Sequence, residues 1–587
     1  MSSSPNSVIQ SVITQFHSKP GPYVLNVVTP PEKFGVVKMN MKKTKISSTP
    51  LFLLFTIDIT GSMSDPVNKD DPRSHNKMYY LVQTFVNMIK YLVEQEIDIH
   101  LQINTFNVVV NKLVRPTLLN SANVNDIIGK IKALVPDGST NIGIAISSAN
   151  QDMTDYKTKN PGFQYGHIFM SDGDPTYGEK DHDLLQKTVD GSFMNTFIGF
   201  GLSHNAALFN KFSDLKNAEY HFVDNLENTG MVYGEIIHQF LYPAIKSAKI
   251  SVENGVIYDW KTNSWVESIE DAVIVSEVEK TYHIKSSNPD DLVLYVYGIE
   301  ASQPLQLDEN VNAESEGDDE TKSEALDPQL LYTDYPLPDL MDIQTQVISV
   351  EVDLSKYMFR QRTQELLSIG KYIDLNNGKA PIRNKIVKFR SVIRAMFQKM
   401  RQFMRDNGLI NDPLMNMLCD DISVTYKLCG TRNGAMFTSA RQTSQGKQAT
   451  YTATVRDFSQ FDDPQLLSTT TPRRNVLQQN SFDTQADDEP IPMPILSRMP
   501  TIRRSHSAPM PPILELNLPE EGGDISSNDA ATFNLLFAIA EEFAETDGVT
   551  DVLPEDDLAD YAPTNNNTSC YSTPSKLSIM RTLTTSM

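Results

Sequence analysis

Between residues 50 and 247 the apolar positions switch repeatedly between two periods. Leu51, Phe52, Leu53, Leu54, Phe55 and Ile57 form a run interrupted only by Thr56 and bounded by Pro50 and Gly61. Such a run suits a strand covered on both faces, as at the centre of a parallel sheet. Residues 77–94 place Tyr80, Leu81, Phe85, Met88, Ile89, Leu92 and Val93 at helical spacing, which predicts an amphipathic helix whose stripe faces the core. The alternation continues with strands expected over 97–106, 166–172, 194–201 and 219–223 and helices over 124–134, 142–149, 183–189, 206–214 and 230–246. Strand and helix in turn are the mark of a doubly wound α/β sheet.

The texture changes at Ala248. Short strand patterns over 249–252, 256–260, 272–275, 281–284 and 292–297 follow one another with turn residues and no helix between them, which predicts an antiparallel sheet. Two more strand-like runs, 23–28 and 34–41, precede the α/β stretch. The expected organisation is therefore an α/β domain at 48–247 inserted into an antiparallel β-sandwich made from 1–47 and 248–355, with 347–352 as a further strand. An acidic loop at 301–335 interrupts the sandwich segment and reads as solvated and disordered. A helical region spans 356–460. Its stripe of Ile386, Phe389, Ile393, Phe397, Met400 and Met404 lies opposite Arg383, Lys385, Lys388, Arg390, Arg394, Lys399, Arg401 and Arg405. That pattern fits a core-facing helix with a solvated basic side, a membrane-surface helix or a calmodulin-type target, and the structure expected on both sides favours the first. Residues 461–587 lose periodicity and gain Pro, Ser, Thr, Gln and Asn, so a mostly disordered tail is expected. Within it, Phe533, Leu535, Leu536, Ile539 and Phe543 predict one amphipathic helix over 529–546, able to dock back onto the fold or to bind a partner.

Composition narrows the function classes. A chain of 587 residues is too long for one core. Its formal charge of -23, from 51 basic and 74 acidic residues, disfavours nucleic acid as a partner. Only Cys419, Cys429 and Cys570 are present, which suits a reducing, cytoplasmic setting and cannot build a zinc RING. Residues 1–18 show neither a basic nor an apolar leader region, and no apolar stretch approaches membrane-spanning length.

The candidate chemistry sits where strands end. The central run stops at Asp58, Thr60 and Ser62, which alternate along the chain and can converge on one point in an extended loop. All three offer hard oxygen and none offers sulfur or imidazole, which favours Mg²⁺, Ca²⁺ or Mn²⁺ over Zn²⁺ or copper. The turn Asp137-Gly138-Ser139-Thr140-Asn141 puts Thr140 where a helix begins, and the strand pattern from Gly166 ends in Ser171-Asp172-Gly173, so Asp172 is placed like Asp58. Together these residues resemble the von Willebrand factor A family and its metal-ion-dependent adhesion site: the D-x-S/T-x-S motif at Asp58, Thr60 and Ser62, the threonine of a G-G/S-T-N turn at Thr140, and the aspartate of a T/S-D-G turn at Asp172. Threonine for the usual serine at position 60 keeps the hydroxyl.

The resemblance implies a Rossmann-like domain whose five side chains hold Mg²⁺ (or Ca²⁺ or Mn²⁺), with the open position taking an Asp or Glu of a protein partner. No positioned base or nucleophile accompanies the set; Asp174, His75 and His204 read as loop residues, so no enzyme activity is expected. The stretches Tyr426–Gly430 and Gly434–Gln448 look like the helical region that accompanies this domain in some plant RING-type ubiquitin ligases, which makes a non-catalytic recognition arm of a ligase-like assembly the alternative function. In the tail, Arg503-Arg504-Ser505-His506-Ser507-Ala508-Pro509 resembles a docking motif for 14-3-3 adaptors once Ser507 is phosphorylated.

Overall fold

The structure is a computed structural model that describes residues 8–67, 74–95, 97–301, 352–376, 380–431, 433–453, 527–544, 558, 561–564 and 568–584. The expected strand at 347–352 lies almost wholly outside these residues. The acidic loop apart from Ala301, and Ser507, lie outside them too. Contacts divide the chain into Met1–Asp463 with Thr532–Met587, and Pro464–Ala531; apart from the first five residues of the helix at Ser527–Ala544, everything below belongs to the first unit.

Two strands, β1 (Ile9–Phe16) and β2 (Lys33–Met41), precede the α/β layer. That layer runs β3 (Leu51–Asp58), α1 (Lys77–Val93), β4 (Ile99–Phe106), β5 (Val110–Leu118), α2 (Val124–Lys132), α3 (Ile142–Lys159), β6 (Gln164–Ser171), α4 (His182–Lys187), β7 (Met194–Phe200), α5 (Ala206–Ser213), β8 (Ala218–Val223) and α6 (Thr229–Leu241). The strand order is β5-β4-β3-β6-β7-β8, parallel throughout except for the edge strand β5. Residues 48–247 thus form the doubly wound α/β layer expected of them. Every residue of β3 is buried. Its pleat sends Leu51, Leu53, Phe55 and Ile57 into a core with α1, α2 and α6, and Phe52 and Leu54 into the opposite core with Ala149 and Met153 of α3. The chain leaves β3 toward β4 on one side and later returns to β6 on the other, so the ends of β3 and β6 form the crevice where sheets of this kind hold ligands.

Polar residues inside the sheet are satisfied in chains. Thr56 Oγ1 meets His167 Nε2 at 3.0 Å and His167 Nδ1 meets Asn195 Oδ1 at 2.9 Å. Gln102 and Asn104 donate to Asp152 at 2.7 and 2.8 Å.

Helix α6 stops at Leu241, short of the expected 246, because Pro243 has no N–H to continue it. The chain turns there into β9 (Pro243–Glu253), followed by β10 (Val256–Asp259), β11 (Ser264–Val266), β12 (Ser268–Val275), β13 (Glu279–Ser286) and β14 (Val293–Glu300). They form sheets of order β1-β2-β13-β10-β11 and β12-β9-β14 around a shared core. Strand β2 pairs antiparallel with β13, so the strands before the α/β layer join those after it and the layer is an insertion. The run at 23–28 is not a strand. Hemmed in by Pro22 and Pro30, it lies irregularly, with Leu25 and Val27 buried against the helices instead.

The helical region comprises α7 (Ser355–Leu375), α8 (Ala380–Asp406), α9 (Pro413–Leu428) and α10 (Gly434–Lys447), joined by α11 (Ser527–Ala544). The predicted stripe of α8 is wholly buried, which makes it a core-facing helix. Its basic side is not simply solvated: Lys385 lies over the rings of Phe533 and Phe537, 5.1 and 4.5 Å from their centroids, so α11 docks back onto the fold.

Helix α11 lies where the tail was expected to hold a helix, whereas α12 (Pro574–Thr584) was not expected. Ile579, Met580 and Leu583 of α12 enter the same core as α1 and α6. Two glycines make this possible: a Cβ on Gly230 would lie 2.7 Å from the Leu583 main chain, and one on Gly234 2.7 Å from Met580 Cα. Gly234→Val should therefore cost about 1–3 kcal/mol and release residues 574–584 to protease. Urea unfolding and limited proteolysis check this; an unchanged midpoint with α12 still protected contradicts it.

Candidate metal centre

Asp58 ends β3 and Asp172 follows β6 directly, so their placement at one rim is a consequence of two adjacent parallel strands in register. Both are fully buried. Asp58 shapes its own loop: its Oδ1 accepts the Thr60 N–H at 2.8 Å and its Oδ2 accepts the Ser171 hydroxyl at 2.5 Å. That leaves the hydroxyls of Thr60 and Ser62 side by side, 3.1 Å apart. Ser62 Oγ donates to Asp172 Oδ1 at 2.7 Å, which ties the first motif to the last.

Thr140 reaches the same point from a separate turn. Gly61 N–H donates to Gly138 O at 3.0 Å and Asp137 N–H to Ile59 O at 2.7 Å, clamping the Thr140 turn to the Asp58 loop. Thr140 N–H donates to Thr176 Oγ1 at 2.8 Å, and Thr176 and Tyr177 N–H both donate to Thr140 O at 3.0 Å. Gly173 sits among the donors: a Cβ there would lie 3.8 Å from Ser62 Oγ and 3.9 Å from Thr140 Oγ1. Asn141 then caps α3 by accepting the Ile144 N–H at 3.3 Å. All five predicted residues therefore gather at one rim.

Electrostatics favours a cation there. Burial, and then the charge of Asp172 beside it, push the Asp58 carboxyl up to about 6, against the pull of the Ser171 and Thr60 donors. Two buried like charges with hydroxyls between them are relieved by a bound positive ion. Among the described residues no group of three or more His, Cys, Asp or Glu could hold a metal, so a cation depends on hydroxyl oxygens here. Two carboxylates and three hydroxyls, all hard oxygen, fit Mg²⁺, Ca²⁺ or Mn²⁺.

Three participants were not legible as site residues. Ser171 holds Asp58, and Ser203 Oγ donates to the Asp172 carbonyl at 3.0 Å. Lys77, at the first position of α1, puts its ammonium on Asp172 Oδ2 and, at 2.9 Å, on Ser203 Oγ. A lysine in the first helical turn opposes the helix dipole, and that misfit was the available signal. The histidines near the site do not join it. Burial lowers His204 to about 4, and its ring contacts Gly201 O and the Tyr220 hydroxyl; it lies in the loop between β7 and α5, as expected, with its side chain buried. His75 is exposed and stacks on Tyr79, with centroids 3.8 Å apart.

No family model matches the chain. It is 25% identical over 252 residues to the uncharacterized protein YfbK of Escherichia coli (strain K12), a match that covers 40% of this chain and 40% of that protein, so the chain spans less than half the length of the curated relative it matches. Solved structures of similar fold include a von Willebrand factor type A protein from Catenulispora acidiphila, with 11% identity over 71% of this chain and 91% of that one and a TM-score of 0.42. Another is proximal thread matrix protein 1 from the mussel byssus with a zinc-occupied MIDAS motif, with 14% identity over 34% of this chain and 48% of that one and a TM-score of 0.27. The comparisons lend no support to the likeness with plant RING-type ligases.

Ser171→Ala removes the hydroxyl that donates to Asp58 Oδ2. In chelator it should lower stability by about 1–3 kcal/mol, the cost of a buried polar group left unpaired. Urea unfolding measures it, and a variant as stable as the parent contradicts the role given to Ser171.

Proposed function

We propose that this chain is a protein-interaction module in which Asp58, Thr60, Ser62, Thr140 and Asp172 hold one divalent cation, Mg²⁺ by preference, with Ca²⁺ and Mn²⁺ as substitutes. When bound, the cation supplies an electrophilic position for one carboxylate oxygen of a partner's Asp or Glu. The observation that carries this reading is the Ser62–Asp172 hydrogen bond of 2.7 Å, with Gly173 seated beside both Ser62 and Thr140. It joins three separate motifs at one point.

The chain's own residues support binding over catalysis. Neither Lys77, held by Asp172 and Ser203, nor His204, neutral and buried, is placed as a free base. The loops around the rim expose Val109, Val135 and Tyr177, and the first turn of α3 exposes Ile144. Loop 107–109 is bound to the Thr140 turn, because Asn107 Nδ2 donates to Asp137 O at 3.0 Å and Asn141 N–H to Asn107 O at 3.0 Å. Exposed apolar side chains around a polar centre suit a protein surface as partner. The sandwich and the helical region serve as scaffold, and Cys419, Cys429 and Cys570, none of them in a disulfide, support a cytoplasmic setting. No contact among the described residues favours a ligase-linked arm.

Thermal or urea unfolding in increasing MgCl₂ tests the reading. At about 100 times its dissociation constant the ion should add about 2.7 kcal/mol of stability, and Asp58→Ala and Thr140→Ala should lose that gain. A parent protein that Mg²⁺ does not stabilise, or variants stabilised equally, would overturn it.

A further inference from the structure

Lys77 is built into the site. Its side chain is 10% exposed, and its ammonium is shared between Asp172 Oδ2 and Ser203 Oγ. Ser203 in turn donates to the Asp172 main-chain oxygen, which closes a small ring of contacts around the ammonium. The two oxygens of Asp172 thus face different neighbours: Oδ1 takes the Ser62 hydroxyl and Oδ2 the ammonium. A residue already carries positive charge against one of the two acidic side chains that a divalent ion would need.

Charge counting gives the consequence. Asp58 and Asp172 contribute -2, and Lys77 returns +1, so the site presents a net -1 to an incoming cation. Like charges a few ångströms apart, in a partly desolvated pocket, repel far more strongly than in water. We propose that Lys77 is a resident cation that sets the site's affinity for divalent metal, holding it well below what the oxygen donors alone would give. The same ammonium leaves the loaded site with a surplus positive charge. Binding energy is thereby shifted from the ion to the carboxylate that the partner brings. This rests on the reading that the five oxygen-bearing residues hold a divalent cation.

The test is calorimetric titration of the full chain with MgCl₂ alone, comparing the parent with Lys77→Gln and Lys77→Met. Gln keeps a donor within reach of Asp172 and removes the charge; Met removes both. Both variants should bind Mg²⁺ about tenfold more tightly than the parent, or more, while Lys77→Arg, which keeps the charge, stays near the parent value. If the neutral variants bind Mg²⁺ no more tightly, or more weakly, Lys77 only orients Asp172 and the proposal is overturned although the metal reading stands. If neither the parent nor any Lys77 variant binds Mg²⁺, the metal reading itself fails and the proposal with it. Should one neutral variant not fold, the other decides.

Discussion

Two negatively charged side chains, Asp58 and Asp172, are buried next to each other because the strands that deliver them are parallel neighbours in register. Nothing about the sheet allows either to move to solvent. The residues around them manage that repulsion: Ser171 and the Thr60 N–H for Asp58, Ser62 and Lys77 for Asp172. A layer of apolar strands held on both faces is what makes the arrangement rigid enough to keep two carboxylates together. The oxygen-rich rim and its appetite for positive charge are one fact seen from two sides.

The rest of the chain secures this layer. The sandwich grips it from both of its ends, since β2 and β13 pair across the insertion. The far C-terminal stretch closes it from another side. Glu235 on α6 accepts main-chain N–H groups of Thr450 and Tyr451 at 2.7 and 3.0 Å, and Ser569 N–H donates to Thr450 O at 2.7 Å. Helix α12 then lies on α6 and contributes to the core that also supports α1. Because α1 carries Lys77 at its first position, a packing contact made by the last helix bears on the helix that places the ammonium beside Asp172. The structure therefore ties the chain's end to the neighbourhood of its most polar site.

Much of the site was legible because its residues break rules of their own segments. A carboxylate and two hydroxyls at the end of an apolar strand are costly unless they serve one another or a ligand, so Asp58, Thr60 and Ser62 announce themselves. Asp172 stands out for the same reason, and Thr140 because its glycine-bearing turn leads into a helix. The doubly wound layer was legible from the change of period alone. Lys77 was not, because its misfit in the first helical turn shows only that the lysine is out of place, and only the fold shows which carboxylate it meets. Helix α12 was hidden for a different reason. Its few apolar residues, Leu577, Ile579, Met580 and Leu583, are too sparse to predict burial, which depends on Gly230 and Gly234 far upstream leaving room for its backbone. The run at 23–28 misled because apolar residues between prolines can be buried without forming a ladder.

The most direct test of a cation at this rim is its position. Crystals of the full chain grown with MnCl₂, measured at a wavelength where manganese scatters anomalously, should show one strong peak enclosed by Ser62, Thr140 and Asp172, and no peak there in crystals of Asp58→Ala. A strong peak elsewhere with none at this rim, or none at all with the Ser62–Asp172 contact intact, would contradict the account.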